Sequence, residues 1–303
     1  MELLVNPTSY ANALTLIELG VHQIFIGDNQ FCVRNNCHVT LQQIKKLVES
    51  KKNTKILVLI NRFFFDPELP KLEEYLIALN KIKIDGIIFN DFAVNQICHE
   101  KKILIPLTYN PETLVTNYEQ FPFYLQNNIQ EVSLARELNF REIQEIGANK
   151  NEMKVQIQVS GCTYMMHSRW KLISNFKQTQ NISDELFKTK LLIREISRNE
   201  PCIIYEDESG THVLSKYSLN LIDYIYDLHR YKVDTIRIDS FLHDETWTVL
   251  TTKIYLKALM HIEDREYVKQ LTNKLPKDKY SHGFYLMDKK DLIYLNQTVG
   301  NYE

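Results

Sequence analysis

A chain of 303 residues, 44% of them hydrophobic, can bury one large core, and its formal net charge of −2 removes any global pull toward nucleic acid. No stretch approaches the roughly 20 apolar residues of a membrane helix, and Met1 leads straight into Glu2-Leu3-Leu4-Val5, a core-strand pattern rather than a leader. The expectation is therefore a cytoplasmic protein with no membrane contact, in which any RNA contact is local or shared.

Short apolar runs, each followed by a polar turn and an amphipathic segment, recur along the chain and predict parallel strands joined by helices. Eight strands are predicted: Glu2 to Val5, Gln23 to Ile26, Lys55 to Ile60, Gly86 to Phe89, Ile103 to Leu107, Glu131 to Ala135, Val155 to Val159 and Thr235 to Ile238. In the first helix Ser9 is the expected cap, Tyr10, Ala13, Leu14 and Ile17 form the expected buried stripe, and Gly20 ends it in a left-handed turn. Further helices are expected near 40–50, 68–82, 92–100, 112–120, 140–148, 184–198, 217–230 and 243–262. Four strands are led in by one pattern of apolar, polar, any, apolar: Val21-His22-Gln23-Ile24, Ile84-Asp85-Gly86-Ile87, Ile129-Gln130-Glu131-Val132 and Val233-Asp234-Thr235-Ile236. This rhythm predicts an α/β fold, a TIM-barrel-like (β/α)8 barrel over residues 1–263.

The interval 162–232 breaks the rhythm and is expected as an α/β insertion between strands seven and eight, two helices around a hairpin turning at Ser209-Gly210. Residues 264–303 read as a C-terminal tail packing on the barrel.

In such a barrel the working residues stand at the C-terminal ends of the strands. The sequence nominates Asn61, Asn90, Asp91, Thr108, Arg136, Glu137 and Asp239, with Arg34 in the loop after the second strand and Arg169 in the insertion. A mouth lined by Arg34, Arg136 and Arg169, with Asn and Thr donors beside them, would suit a small dianion, because guanidinium grips carboxylate through a two-pronged fork. Arg136, Glu137 and Asp239 are the candidates for chemistry, the carboxylates holding the arginines or moving protons. The competing reading is an ion-pair network between loops.

The five cysteines, Cys32, Cys37, Cys98, Cys162 and Cys202, include no Cys-x-x-Cys pair, which favours reduced thiols over a disulfide framework and gives no metal site. Cys162 with His167 is the one local pair that could suggest a thiol nucleophile. There is no His-Glu-x-x-His helix, no Gly-x-Ser-x-Gly elbow and no nucleotide-binding glycine loop.

The runs Glu2-Leu3-Leu4-Val5-Asn6-Pro7-Thr8-Ser9, Phe31-Cys32-Val33-Arg34, Leu134-Ala135-Arg136-Glu137-Leu138 and Tyr205-Glu206-Asp207-Glu208-Ser209-Gly210-Thr211-His212 resemble the peptidase U32 family, nearly end to end, and most of all its short Firmicutes type. That resemblance implies a tRNA-modification factor for prephenate-dependent 5-hydroxylation of the wobble uridine, acting with a longer U32 paralogue through which tRNA would be held. It also implies ligand-binding roles for Tyr205, Glu206 and His212. A collagenase-like peptidase and a non-catalytic partner subunit are the alternatives. Where larger members carry iron–sulfur cysteines, this chain has Tyr164 and Lys171, which implies no cofactor of its own, with prephenate as a co-substrate. Arg237-Ile238-Asp239-Ser240 also departs from the Lys-Ile-Glu-Gly-Arg of the resembled family.

Overall fold

A computed structural model describes residues 1–180, 182, 191–194 and 201–287. Eight parallel strands close a barrel: β1 (Glu2–Val5), β2 (Gln23–Ile26), β3 (Lys55–Ile60), β4 (Gly86–Phe89), β5 (Leu107–Tyr109), β6 (Ile129–Ser133), β7 (Lys154–Ser168) and β11 (Thr235–Ile238). The ring shuts because β11 pairs with both β1 and β7, with Leu3 opposite Ile236 and Ile157 opposite Ile236 from the other side. Helices α1 (Tyr10–Glu18), α2 (Leu41–Ser50), α3 (Leu69–Ile82), α4 (Phe92–Glu100), α5 (Phe121–Gln126), α6 (Phe140–Asn149), α8 (Ile225–Arg230) and α9 (Glu245–Met260) surround it.

The recurring four-residue pattern has a physical reason. Its second residue lies at or just before the start of every second strand around the barrel and accepts a hydrogen bond from a backbone N–H at the start of the preceding barrel strand. His22 Nδ1 takes Leu3 N at 3.2 Å, Asp85 Oδ2 takes Ile56 N at 2.8 Å, Gln130 Oε1 takes Leu107 N at 2.8 Å, and Asp234 Oδ2 takes Val155 N at 2.8 Å. A barrel rim leaves such amides without ladder partners, and an unpaired buried amide costs about 1–3 kcal/mol. Four strand pairs thus solve one problem in one way.

Strand alternation sorts the apolar residues into two layers. Leu3, Val5, Ile24, Ile26, Ile56 and Val58 point outward into the main core beneath the helices. Leu4, Phe25, Leu57, Leu59 and Ile88 form a smaller cluster inside the ring. The inner positions of β5, β6, β7 and β11 are polar instead: Thr108, Glu131, Gln156, Thr235 and Arg237 are all buried. One half of the barrel interior is oil-like and the other is a hydrogen-bonded network.

Several local expectations need correction. In α1, Ser9 caps as expected and Gly20 adopts φ +76°, but Leu16 is buried where Leu14 was expected, because the helix meets the barrel on the Asn12, Ala13, Leu16 and Ile17 face. The fifth strand starts at Leu107, since the apolar run from Ile103 to Pro106 forms the connection from α4 and Pro106 has no N–H to give a ladder. The helix expected near 112–120 begins later, as a short 3-10 turn at Tyr118–Gln120 leading into α5. Of the helix expected near 184–198, most lies outside the described residues, and Leu191–Ile193 form a strand. Residues 217–220 belong to a strand rather than to the helix expected there.

The insertion is largely an antiparallel sheet. β7 runs out of the barrel, and its outer half pairs with β10 (Gly210–Asn220), which pairs with β9 (Cys202–Asp207) and then β8 (Leu191–Ile193). The β9–β10 hairpin turns at Glu208 and Ser209, with Gly210 at φ +129°. Helix α7 (Leu172–Gln180) follows β7, α10 (Arg265–Thr272) follows α9, and β12 (Tyr280–Ser281) pairs with β10.

Candidate functional site

The site lies at the C-terminal end of the barrel. The loop after β2 carries Arg34, and two asparagines at strand ends hold it. Asn61 binds both backbone groups of Val33, accepting from its N–H at 2.8 Å and donating to its carbonyl at 3.1 Å. Asn6 donates to Asn35 Oδ1 at 2.8 Å, which in turn accepts from Cys37 N. Arg34 itself takes a left-handed φ of 53°, a conformation that a residue with a Cβ holds only when its surroundings enforce it. The consequence is a guanidinium fixed across the mouth, 3.0 Å from Glu112 and 4.0 Å above the Tyr164 ring. Burial is the largest influence and works against its charge, but Glu112, Tyr164 and Tyr205 together outweigh it and raise the pKa.

Arg136 follows β6 and also approaches Tyr164, 5.4 Å from the ring centroid. Its Nη2 donates to the Met165 carbonyl at 2.8 Å, while Nε and Nη1 are buried with no partner among the described residues. Arg237 points inward from β11; Nη1 makes a long 3.4 Å bond to Gln156 and Nε has none. Asp239, at the end of β11, is raised by burial, an effect the Arg237 charge only partly offsets. These groups line a cleft of about 40 Å³. Gly161 makes the enclosure possible, because with φ +101° a Cβ there would stand 1.8 Å from the Asp239 carbonyl oxygen. No side chain fits that crossing.

Three guanidiniums face one paired carboxylate, Glu112, and one carboxyl, Asp239, that burial drives toward its neutral form. Buried donors without partners cost free energy unless something supplies acceptors. The arrangement suits a small anion with two acidic groups.

Of the residues nominated from sequence, Arg34, Asn61, Arg136 and Asp239 line this cleft. Glu137 does not; it stands exposed, 3.7 Å from Arg136. Asn90 donates to the Asn61 carbonyl, and Asp91 caps α4 by accepting from Ala93 N at 2.9 Å. Thr108 faces the opposite end of the barrel, bonded to Glu131 at 3.0 Å, because the strand that carries it starts later than expected. Arg169 lies on the outer rim, 3.4 Å over the Phe65 ring. Glu206 takes the N–H groups of Ile173 and Ser174 at the start of α7. His212 is fully buried between Asp207 and Ser209, so both hold the insertion sheet together. Tyr205 packs on His212 and Phe241, its hydroxyl buried, without a partner among the described residues, and raised by that burial. His167 stacks on His212 and does not reach Cys162, whose neighbour is His243 at 3.8 Å.

Sequence reasoning missed Glu112 and Arg237. Glu112 sits at φ 67° in an irregular loop and carries no pattern. Arg237 had a legible signal, a charge between Ile236 and Ile238 in a strand, on the face opposite the buried isoleucines. At the two positions where the resemblance places cluster cysteines, Tyr164 and Lys171 offer no thiolate. Among the described residues no three His, Cys, Asp or Glu gather at metal-binding distance. These donors do not fit an iron–sulfur cluster. Among the described residues none of the five cysteines forms a disulfide.

Comparison with known proteins adds the following. The family model for peptidase family U32 matches residues 8–293. The chain is 31% identical over 272 residues to a Bacillus subtilis protein named tRNA hydroxylation protein P2, covering 88% of each. It is 21% identical over 265 residues to tRNA hydroxylation protein P1 of the same organism, covering 85% of this chain and 63% of that protein. A solved U32 peptidase matches with a TM-score of 0.48 at 12% identity, over 78% of this chain and 90% of that one.

Proposed function

This chain belongs to peptidase family U32, and on that premise we propose that it is a tRNA-hydroxylation factor whose arginine-lined cleft takes prephenate, serving 5-hydroxylation of the wobble uridine together with a longer U32 paralogue. Relatives named for tRNA hydroxylation in Bacillus subtilis support the role. The observation that carries the ligand reading is the pair of buried, unpartnered guanidinium edges, on Arg136 and Arg237, opening on one cleft beside Arg34.

Prephenate bears two carboxylates and would meet those donors as charge-assisted hydrogen bonds, each worth about 1.5–3 kcal/mol. The Tyr164 ring lies within 4.0 Å of Arg34 and 5.4 Å of Arg136, so a ligand of that size enters by displacing the phenol. Asp239, kept toward its neutral form by burial, would add no repulsion. No step in this reading is routed through a cluster on this chain. Tyr164 and Lys171 instead leave any redox chemistry to the longer paralogue. Among the described residues no helix is long and apolar enough to cross a membrane.

Deleting the gene and quantifying 5-hydroxyuridine-derived nucleosides in tRNA tests the role. In a strain without a redundant pathway the proposal expects their loss, restored by the wild-type gene and not by the Arg136→Gln variant. Unchanged nucleosides after deletion would overturn it.

A further inference from the structure

The floor of the cleft holds a second constellation. Cys162 lines it from β7, two residues beyond the last barrel-wall pairing of that strand and one beyond Gly161. Antiparallel pairing sets Ser218 of β10 directly opposite Cys162. The loop after β11 brings in His243, whose Nε2 lies 3.8 Å from Cys162 Sγ and 3.0 Å from Ser218 Oγ. Ser218 Oγ donates in turn to Asp278 Oδ2 at 2.9 Å, and Asp278 is exposed.

The imidazole is held in place. Trp247 stacks on it with centroids 3.7 Å apart and planes 9° from parallel. Asn36 Nδ2 pins the loop through the Ser240 and His243 carbonyls at 2.9 and 3.3 Å. A thiol, an imidazole, a hydroxyl and a solvent-facing carboxylate therefore form one chain from the cleft to water. A packed nucleophile–base pair with an orienting third group is the arrangement that activates a thiol.

We propose that Cys162 is a reactive thiol that attacks a 2-oxo carboxylate ligand at the carbonyl carbon beside its carboxyl group, the carbonyl π pair moving onto the oxygen, while His243 and Ser218 pass the thiol proton to Asp278. The unpartnered Arg237 Nε, on a residue 8% exposed and lining the same cleft, is the independent sign that a carboxylate sits there. The proton balance closes with the groups present. At rest His243 Nε2–H donates to Ser218 Oγ; as Ser218 gives its proton to Asp278 Oδ2, Nε2 gives its proton to Ser218 Oγ, and the lone pair so freed on Nε2 takes the thiol proton as sulfur bonds to carbon. Among the described residues, the charged groups lining the same cleft as the thiol are Arg34, Arg136 and Arg237, which favour thiolate, and Glu112 and Asp239, which oppose it. Asp244, next to His243, is engaged by Trp247 N at 2.7 Å. This inference rests on the carboxylate reading of the cleft and not on tRNA as substrate.

Iodoacetate is the probe, since it carries an electrophilic carbon next to a carboxylate. Its carbon–iodine bond breaks as the carbon–sulfur bond forms, and iodide leaves with the electron pair. The other thiols make the folded chain selective: burial pushes Cys32 and Cys37 up to about 12 and Cys98 up to about 11, and a Cys202→Ser background removes the half-buried one. Peptide mass spectrometry should find Cys162 carboxymethylated in the folded chain. The iodoacetate-to-iodoacetamide rate ratio should exceed that of glutathione about tenfold, and Arg237→Gln should abolish the excess. His243→Gln should move the pH midpoint of labelling up by about one unit or more. Asp278→Asn, an exposed change that spares the core, should move it in the same direction by less, which covers the case in which His243→Gln fails to fold.

Labelling of Cys162 only after unfolding would overturn the proposal. A pH profile unmoved in both variants would overturn the relay. A rate ratio equal to that of glutathione would overturn the carboxylate reading of the cleft, whereas loss of tRNA hydroxylation function alone touches none of these measurements.

Discussion

Glu131 and Arg136 follow one another closely in the chain, yet they serve opposite ends of the barrel and are treated in opposite ways. Toward the N-terminal end, the fully buried Glu131 carboxyl receives Thr235 Oγ1 at 2.6 Å, Thr108 Oγ1 at 3.0 Å and Gln156 Nε2 at 3.5 Å. Every strand near it contributes a donor. Toward the C-terminal end, Arg136 and Arg237 keep buried N–H groups with no acceptor among the described residues. A polar group that the fold itself satisfies is part of the scaffold, whereas one left waiting marks where a ligand completes the hydrogen bonding.

That contrast can be broken by exchange. Glu131→Ala strands two hydroxyls and an amide and opens a void, so it should cost about 2–4 kcal/mol in denaturant unfolding while leaving dicarboxylate affinity of the refolded chain unchanged. Arg136→Gln should do the reverse. Calorimetric affinity for a small dicarboxylate should fall about 10- to 100-fold, and the melting temperature should change little, because relief of the unpartnered Nε and Nη1 offsets the lost bond from Nη2 to the Met165 carbonyl. If Arg136→Gln destabilises the chain as strongly as Glu131→Ala, the two ends do not differ in kind.

Two smaller effects sharpen the comparison. Thr235→Val removes one of the donors to Glu131 and should cost about 1 kcal/mol. Burial raises the Glu131 carboxyl above its ordinary value, with Thr235 and Thr108 only partly opposing the shift. The native chain therefore holds a proton that the unfolded chain has released once the pH passes the ordinary carboxylate range. The contribution of this group is fully present below that range and is lost as pH rises toward its folded pKa. Melts from pH 4 to 8 should show Glu131→Gln gaining on the wild type as pH rises; a constant gap would mean that Glu131 titrates normally.

The barrel was legible because its signals are local and periodic: short apolar strands, polar turns and the repeated lead-in that caps strand amides. The site was legible where a polar residue immediately follows a strand, as with Asn61 and Asp239, and at the arginines of the loops after β2 and β6, Arg34 and Arg136. Thr108 shows the weakness of that rule. Its run looked like a strand end, but Pro106 moves the strand two residues on, which carries the threonine from mouth to interior. Glu206 and His212 stood in a conspicuous run, and their chemistry goes into holding one sheet together. Pairing across long separations hides the rest. Nothing near Arg34 announces Glu112, and nothing near Cys162 announces His243.

Closure through β1 and β11 also sets a schedule for the nascent chain. Leu3, Leu4 and Val5 find their second neighbour only when Ile236, Arg237 and Ile238 have been synthesised, more than two hundred residues later. At ribosomal rates that wait is on the order of ten to fifty seconds. Throughout it the first strand offers a bare hydrogen-bonding edge with apolar side chains, the feature that recruits chaperones or seeds aggregation.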